Sequence, residues 1–463
     1  MFLAFKFHYL NILRSAKSEQ TRIRFSAERL KLASDKNVPL LKKIIQLRAL
    51  IANKIGYKTW ADYRCEVKMA GDGKTASDFL INLKRGLESK WKAEMAEFTK
   101  IKRRETNDSD AVVNMWDIFY YENLYKKERF SVDAEQLRVF FPYEQTLQGM
   151  FRVYEEIFRL KIVEAKPQYK WNNQVTLHLV YDSLSGEPLG ALYLDMFPRD
   201  GKFNHFAMFP LISGKKLSSG HYQRPTVALI CNFPNPGKDK TSLLSHDNVE
   251  TLFHEFGHAL HGLLANSKYS SLSGTSVLWD FVELPSQLYE HWLEVPEVLN
   301  RFAVHYQTGK PIPDSLLKKI LETRNLNQGF STVEYVSSAL VDLSFHENIK
   351  EIDPLIEEKR ILDKLGIPSA IKMRHSTPNF SHIFSGDGYS SGYYSYMWSE
   401  VMDADAFKAF VEVNDPFDPK TAERLLSCIY SAGGSRPPEE LYVSFRGSLP
   451  SVNALLEQRG LDI

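Results

Sequence analysis

The chain has 463 residues, of which 43% are hydrophobic and 25% charged, a composition typical of a globular protein with one large core or two to three domains. Its 58 Lys and Arg residues nearly cancel its 57 Asp and Glu residues, which excludes recruitment of nucleic acid or an anionic membrane by net charge. No apolar run reaches the roughly 18 residues of a membrane span, and three widely separated cysteines, Cys65, Cys231 and Cys428, favour free thiols in a reducing cytoplasm over disulfides.

Residues 1 to about 165 are predicted to be helical. The opening MFLAFKFHYLNIL contains Lys6 and His8 and no small-residue cleavage site, which favours a buried helix over a signal peptide. The stretch NVPLLKKIIQLRALIANKIG (37–56) repeats leucine and isoleucine at three- and four-residue steps. SDFLINLKRGLESKWKAEMAEFTKIKRRE (77–105) predicts one long amphipathic helix, and the polar TNDSD after it predicts a loop.

Residues 166–240 change to a period of two. VTLHLVYD (175–182) and GALYLDMF (190–197) alternate and are rich in β-forming residues, and PTVALICNF (225–233) is a third strand candidate. From Ser245 the pattern is helical again, apart from a Gly/Tyr-rich loop near 385–395. We therefore predict a mainly α protein with a helical region at 1–165, a small antiparallel β-sheet at 166–240 and a second helical region at 241–463.

The stretch LFHEFGHALHG (252–262) carries the strongest chemical signal in the chain. Asp247 with Glu250 resembles a capping box, and an apolar stripe follows it at helical spacing. On this helix His254 and His258 lie about 40° apart and about 6 Å apart along the axis, so two imidazoles can bind one zinc ion. Glu255 projects beside them, too far around the helix to bind the ion but able to reach a water molecule next to it. This is the arrangement that an HExxH motif provides.

A simpler interpretation and a rival third ligand both have to be weighed for these histidines. A polar helix face can contain histidines without a metal, so the sequence that follows must supply a further ligand. His261 shares the face, but it lies about 10.5 Å along the axis from His254, too far for both to converge on one ion. We therefore expect His261 to be a bystander or to support a ligand, and the third ligand to come from another segment.

The segment WDFVELPSQLYEHW (279–292) offers three carboxylates as that ligand: Asp280, Glu283 and Glu290. A surface position or a helix cap would also explain these acids. Glu283 stands between two apolar residues, which is unusual for a solvated carboxylate. From the residues alone, the choice among the three stays open.

Three ordered blocks carry a resemblance to a known family. They are HEFGHALHGLL (254–264), SGTSVLWDFVELPSQ (273–287) and FSHIFSGDGYSSGYYSYMWSEV (380–401). They resemble the signature blocks of the thimet oligopeptidase and oligopeptidase A family of zinc metallopeptidases, and the similarity runs from about residue 20 to the C-terminus. The family implies a large helical fold of the gluzincin type with a deep cleft.

The resemblance implies roles for residues of each block. It implies one zinc ion bound by His254, His258 and Glu283, with Glu255 as the catalytic base. It also implies a substrate side that is formed by His382, Gly388, Tyr389, Gly392, Tyr393 and Tyr396. Tyr396 matches the tyrosine that stabilises the oxyanion, a role for which a phenol hydroxyl is suited, and Tyr389 or His382 would assist it.

The loop that carries these tyrosines raises two further expectations. Gly386, Gly388 and Gly392 predict a flexible loop. Aromatic packing at the start of a helix is the simpler interpretation of the YSSGYYSYMW stretch, and we expect it to hold for Tyr394.

These observations predict a zinc-dependent oligopeptidase or peptidyl-dipeptidase that hydrolyses short, unstructured peptides as a monomer. We further hypothesise that the strand TVALICNF (226–233) pairs with the extended peptide, because sheet edges bind peptides in this way. One alternative is a catalytically impaired, shortened relative that only binds peptides, since family members carry a helical segment before the position that matches Met1. A second alternative is a structural zinc domain, which would need four protein ligands.

Overall fold

The computed structural model describes residues 6–130, 134–236, 241–347, 351–368, 370–371 and 373–461. The α-helices are α1 (Lys6–Ser15), α2 (Glu19–Lys31), α3 (Ser34–Lys54), α4 (Trp60–Cys65), α5 (Gly73–Arg85), α6 (Glu88–Thr106), α7 (Ile118–Tyr125), α8 (Ala134–Arg138), α9 (Tyr143–Phe158), α10 (His246–Leu264), α11 (Leu284–Glu290), α12 (Pro296–Asn300), α13 (Asp314–Thr323), α14 (Gln328–Glu347), α15 (Pro354–Lys364), α16 (Ser381–Phe384), α17 (Ser395–Glu412), α18 (Pro419–Leu425), α19 (Pro438–Arg446) and α20 (Val452–Gln458). The strands are β1 (Leu160–Ala165), β2 (Thr176–Asp182), β3 (Pro188–Asp195), β4 (Ala207–Ile212), β5 (Lys215–Lys216), β6 (Tyr222–Gln223) and β7 (Thr226–Ile230). The mainly helical class is as predicted, and none of the helices in these ranges combines the length and apolarity of a membrane span.

Two compact units divide the chain. The first unit comprises Met1–Ser131, Glu322–Tyr396 and Leu456–Ile463, and the second comprises Val132–Leu321 and Met397–Leu455. Each is assembled from segments that are distant in sequence. The predicted division at residues 165 and 240 followed changes in secondary-structure type along the chain, and as a statement about domains it stays a prediction.

The first unit is helical and is centred on α14. This helix is buried along nearly its whole length and packs against α3, α4, α5, α6 and α15. At its beginning, the buried Glu94 carboxylate accepts hydrogen bonds from the Gly329 and Phe330 amides at 3.2 and 2.9 Å, a favourable place for a negative charge. The single long helix predicted over 77–105 is wrong, because the chain leaves the helix at Gly86 and Leu87 and resumes it at Glu88.

The second unit contains the small sheet, whose strand order is β1-β2-β3-β7-β4. The β1–β2, β2–β3 and β4–β7 pairs are antiparallel, but β3 and β7 are parallel. The sheet is therefore mixed rather than antiparallel as predicted, because the chain leaves β3, forms β4 to β6 and returns to pair β7 with β3 in the same direction. The sequence patterns indicated β2, β3 and β7 and missed β1 and β4.

Helix α10 carries the histidine motif and packs on the sheet. Its apolar stripe is buried, and it contacts β3, β7 and β4 on one side and α11 on another. The predicted capping box of Asp247 and Glu250 is wrong. Ser245 is the N-cap, and its side chain and that of Asn248 bond reciprocally to each other's backbone amides, which satisfies two of the free N–H groups at the helix start.

The cysteines are free, as expected, with Cys65 and Cys231 buried and Cys428 half-buried.

The close approach of α10 to α11 depends on Gly257, which stands between the two histidines of the motif. A Cβ at this position would lie 2.6 Å from both the Pro285 carbonyl oxygen and the Ser286 Cα. Both obstacles are backbone atoms, so neither can move aside without shifting α11.

Gly257→Ala should therefore lower the free energy of unfolding by about 1–3 kcal/mol, the usual cost of overpacking a close contact. Urea unfolding measures this change. Gly386→Ala is the matched control, since a Cβ there meets nothing within 4 Å. Equal stability of the two variants would contradict the close-approach argument.

Candidate metal centre

Two helical histidines and one carboxylate converge in the second unit. His254 and His258 lie on α10, and Glu283 immediately precedes α11. The Glu283 Oε2 atom is 3.3 Å from His254 Nε2 and 3.1 Å from His258 Nε2, and the candidate ligand atoms of the three residues all lie within 4.8 Å of one another. Two imidazole nitrogens and one carboxylate oxygen are a donor set suited to zinc with one coordination position open.

The other two carboxylates that the sequence left open have different surroundings. Glu290 Oε1 is 2.6 Å from His254 Nδ1, so it contacts the nitrogen that faces away from the group. A carboxylate in this position accepts the Nδ1–H, which leaves the lone pair of Nε2 available to bind a metal. Asp280 is fully buried, lies outside the group of three, and its carbonyl accepts a hydrogen bond from Ser399.

The electrostatics of the group suit a cation. Burial opposes ionisation of Glu283, but the neighbouring His258 and His254 outweigh it and hold the pKa of this carboxyl well below its usual range. Burial likewise opposes charge on His254, yet hydrogen bonds with Glu283 and Glu290 raise its pKa well above the usual value. The buried carboxylate thus requires a positive neighbour, and a divalent ion between the three residues meets that requirement.

Glu255 lies beside this group without belonging to it. The residue is 7% exposed, and none of the described residues donates a hydrogen bond to its Oε2 atom. Burial raises the pKa of its carboxyl, while the two histidines and the backbone of Met208 in β4 act in the opposite direction. A carboxylate with a raised pKa and an available oxygen is suited to accept a proton near neutral pH.

His261 is fully buried and stands apart from the ligand group, as expected. Its ring packs edge-on against Tyr430, with 5.9 Å between centroids. Burial, with a smaller contribution from His258, lowers the pKa of His261 to about 3. It is therefore a neutral core histidine.

The hypothesis that strand 226–233 pairs with a peptide is wrong. β7 is hydrogen-bonded to β3 on one side and to β4 on the other, so neither of its edges is available. Among the described strands β4 is the edge strand on this side of the sheet, and it lies next to Glu255 through Met208. The side chains of β4 from Phe209 onward are exposed.

The remaining predicted residues form an aromatic cluster in the first unit, made of His382, Tyr389, Tyr393 and Tyr396. The rings of Tyr389 and Tyr396 are stacked, with centroids 5.2 Å apart and planes 7° apart. The His382 ring is 6.1 Å from Tyr389 and 5.4 Å from Tyr393. The structure thus groups the predicted site residues into one set in each unit.

Exposure separates the members of the cluster. His382, Tyr389 and Tyr396 are half-buried, whereas Tyr393 is only 2% exposed. The expected packing role of Tyr394 is confirmed by its complete burial. Gly388 is half-buried, and Gly392 is buried against Lys68, whose Nζ would lie 2.8 Å from an added Cβ.

The sequence as a whole is similar to those of known peptidases. The model of Peptidase family M3 matches residues 12–461. Oligopeptidase A of Escherichia coli (strain K12) is 34% identical over 432 residues, which cover 92% of this chain and 62% of the relative. Saccharolysin of Saccharomyces cerevisiae is 33% identical over 467 residues, covering 97% and 65%, and the Dipeptidyl carboxypeptidase of E. coli is 31% identical over 430 residues, covering 92% and 62%. The chain therefore spans less than two thirds of the length of these relatives.

Solved structures support the fold. PZ peptidase A with an inhibitor has a TM-score of 0.55 at 13% identity, with 99% of this chain and 70% of that chain covered. The M32 carboxypeptidase from Deinococcus radiodurans R1 has a TM-score of 0.55 at 14% identity, with 99% and 81% covered. At these identities the similarity shows a common helical fold.

Replacing Glu283 tests the ligand group. Glu283→Ala removes one of three donors, so zinc affinity should fall by more than the roughly 10- to 100-fold that supporting residues contribute. Competition with a chromophoric chelator measures the dissociation constant. Asp280→Asn should retain wild-type affinity, and undiminished zinc binding by Glu283→Ala would return the third ligand to Asp280 or Glu290.

Proposed function

The chain belongs to peptidase family M3, and from that membership we propose that it is a zinc-dependent metallopeptidase that hydrolyses short, unstructured peptides. The observation that carries this proposal is the convergence of His254, His258 and Glu283 with the carboxylate of Glu255 beside them. Relatives are named both Oligopeptidase A and Dipeptidyl carboxypeptidase, so internal cleavage and release of dipeptides both fit the proposal.

The zinc ion and the residues of the chain contribute different parts of the proposed chemistry. When bound by the three ligands, zinc supplies Lewis-acid polarisation of the peptide carbonyl and acidification of water. Glu290 orients the His254 ring through its Nδ1 atom. Glu255 takes a proton from the attacking water and passes it to the leaving amine, which requires its ionised form at the outset. The burial that raises its pKa also makes the protonated intermediate state accessible.

The aromatic residues complete the proposal on the strength of the family motif. Tyr396 is proposed to donate a hydrogen bond to the developing oxyanion, with Tyr389 or His382 assisting, and such a donor typically contributes about 10²–10³-fold to turnover. The half-buried state of these three side chains supports contact with a ligand. Tyr393, Gly388 and Gly392 are proposed to line the substrate side, and the burial of Tyr393 favours a supporting part for it.

Strand β4 is the proposed docking edge for the peptide backbone. It ends the strand order next to Glu255, and a peptide added there would extend the sheet and place its backbone close to Glu255. Short unstructured peptides suit this mode because their backbone N–H and C=O groups are unpaired in solution. The expectations of a monomer and of a cytoplasmic location, the latter favoured by three free cysteines, stay predictions.

A purely structural zinc site is the weaker alternative. Such sites are closed by four protein ligands, whereas the described residues supply a group of three. A protein that binds peptides without cleaving them would share the ligand group, and turnover distinguishes it.

Glu255→Gln should keep bound zinc and lower kcat by about 10²–10⁴-fold, since glutamine cannot accept the proton. Hydrolysis of a quenched fluorescent peptide at matched zinc content measures this. Asp247→Asn, an exposed position at the start of the same helix, should retain wild-type turnover. Full activity of Glu255→Gln would refute the base assignment, and no turnover by wild-type protein that holds one zinc ion would favour the peptide-binding alternative.

Pairing with β4 can be tested through the substrate. Methylation of one backbone nitrogen removes a hydrogen-bond donor, so at a position that pairs with the strand it should weaken binding by about tenfold, the equivalent of one hydrogen bond. Titration of singly methylated peptides into Glu255→Gln protein measures binding without cleavage. Methylation should weaken binding at every second position of the peptide, as in a β-ladder. Uniform affinities along the peptide would contradict the docking mode.

A further inference from the structure

A buried carboxylate holds the loop that carries the aromatic cluster. We call residues 385–396 the tyrosine loop. Asp342 lies on α14 and is fully buried. Its Oδ1 atom accepts the Ser391 amide at 3.0 Å, and its Oδ2 atom accepts the Gly392 and Tyr393 amides at 3.0 Å each. Three successive N–H groups therefore converge on one side chain, an arrangement that backbone provides for anions.

The loop backbone has an unusual conformation at the point where Asp342 contacts it. Ser391 has a positive φ of 52°, a region that non-glycine residues rarely occupy. Residues in such regions persist when the surrounding structure determines them. Here the surrounding structure includes Asp342 on one side and Lys68 on the other, whose Nζ donates to the Ser391 carbonyl at 3.2 Å.

A chain of buried polar groups supports Asp342 from behind. His346 Nδ1 lies 2.8 Å from the Asp342 carbonyl oxygen and 3.0 Å from its Oδ1, and His346 Nε2 lies 3.0 Å from Arg48 Nη1. Because a guanidinium only donates, Nε2 must accept and Nδ1 must carry the proton, which it shares between the carbonyl and the carboxylate of Asp342. The Asp342 carboxylate thus accepts three backbone amides and part of one imidazole N–H.

Arg48 connects the same network to the first half of the loop. It is 4% exposed and donates to the Ile383 and Gly386 carbonyls at 2.8 and 3.0 Å, and to Asp387 Oδ1 at 2.8 Å. The glycines predicted a flexible loop, but the segment is held at 386–387 by Arg48 and at 391–393 by Asp342. Tyr389 lies between these two attachments, and Tyr396 follows the second by three residues.

We propose that Asp342 is a positioning residue that, supported by His346 and Arg48, fixes the tyrosine loop so that Tyr389 and Tyr396 are presented in one arrangement. Its effect on catalysis rests on the proposed function, whereas its effect on the loop does not. A merely structural network would stabilise the first unit without changing the loop or the reaction. Replacement of Asp342 distinguishes the two roles, because only the positioning role predicts a change in both the exchange rate of the loop amides and kcat.

Asp342→Asn tests the proposal, because an amide side chain offers one oxygen and turns a donor toward amides that also donate. Hydrogen–deuterium exchange with mass spectrometry should show that the peptides covering 391–393 exchange at least about tenfold faster. At unchanged zinc content, kcat should fall by about 10- to 100-fold, the range that misplacement of positioned groups produces.

Glu94→Gln is the matched control, since Glu94 is also a buried carboxylate of the first unit that accepts two backbone amides at the start of α14. It should lower the unfolding temperature without changing exchange at 391–393 or kcat. If Asp342→Asn does not fold, Arg48→Lys provides the second variant, because a lysine keeps the charge but cannot bond to the same set of acceptors.

Unchanged exchange at 391–393 in the folded variant would overturn the proposal, and so would faster exchange with wild-type kcat. If wild-type protein with one zinc ion shows no turnover, the proposed function fails, while the exchange measurement still decides whether Asp342 fixes the loop. The two failures are therefore distinguishable.

Discussion

The candidate metal centre depends on the close approach between α10 and the beginning of α11. Only a residue without a side chain can stand at Gly257, where backbone atoms of Pro285 and Ser286 occupy the space that a Cβ would fill. This approach brings the Glu283 carboxylate to the same side of α10 as His254 and His258. The helix alone provides two donors about 6 Å apart along its axis, and the approach of α11 adds the third.

Burial and the neighbouring charges then set the ionisation of these groups. Glu283 is ionised beside two histidines, Glu255 is buried with a raised pKa, and Glu290 directs the His254 ring. Three carboxylates and two imidazoles that are buried or half-buried together are costly without a cation, so the arrangement that suits zinc binding is also one that zinc would stabilise. The same principle operates in the first unit, where Asp342 is buried but its carboxylate accepts three backbone amides.

Sequence reasoning succeeded where the signal is local. The spacing of His254 and His258 is a property of one helix, and the period of two indicated β2 and β3 directly. It could not choose among Asp280, Glu283 and Glu290, since that choice depends on how α11 packs; only the family resemblance favoured Glu283. Strand β4 was missed because its six residues AMFPLI have no alternation and include a proline. The role proposed for Asp342 has no signal in the sequence because the loop amides that it accepts lie about fifty residues further along the chain.

Zinc-dependent hydrolysis of short peptides is the function proposed for this chain, and it is tested most directly by mass spectrometry of an unstructured peptide of about ten residues after incubation with the wild-type protein. We predict shorter products that disappear after treatment with a chelator and return when zinc is restored, with product masses that report internal or dipeptide-releasing cleavage. An intact peptide in the presence of protein that holds one zinc ion, or cleavage that a chelator does not change, would contradict it.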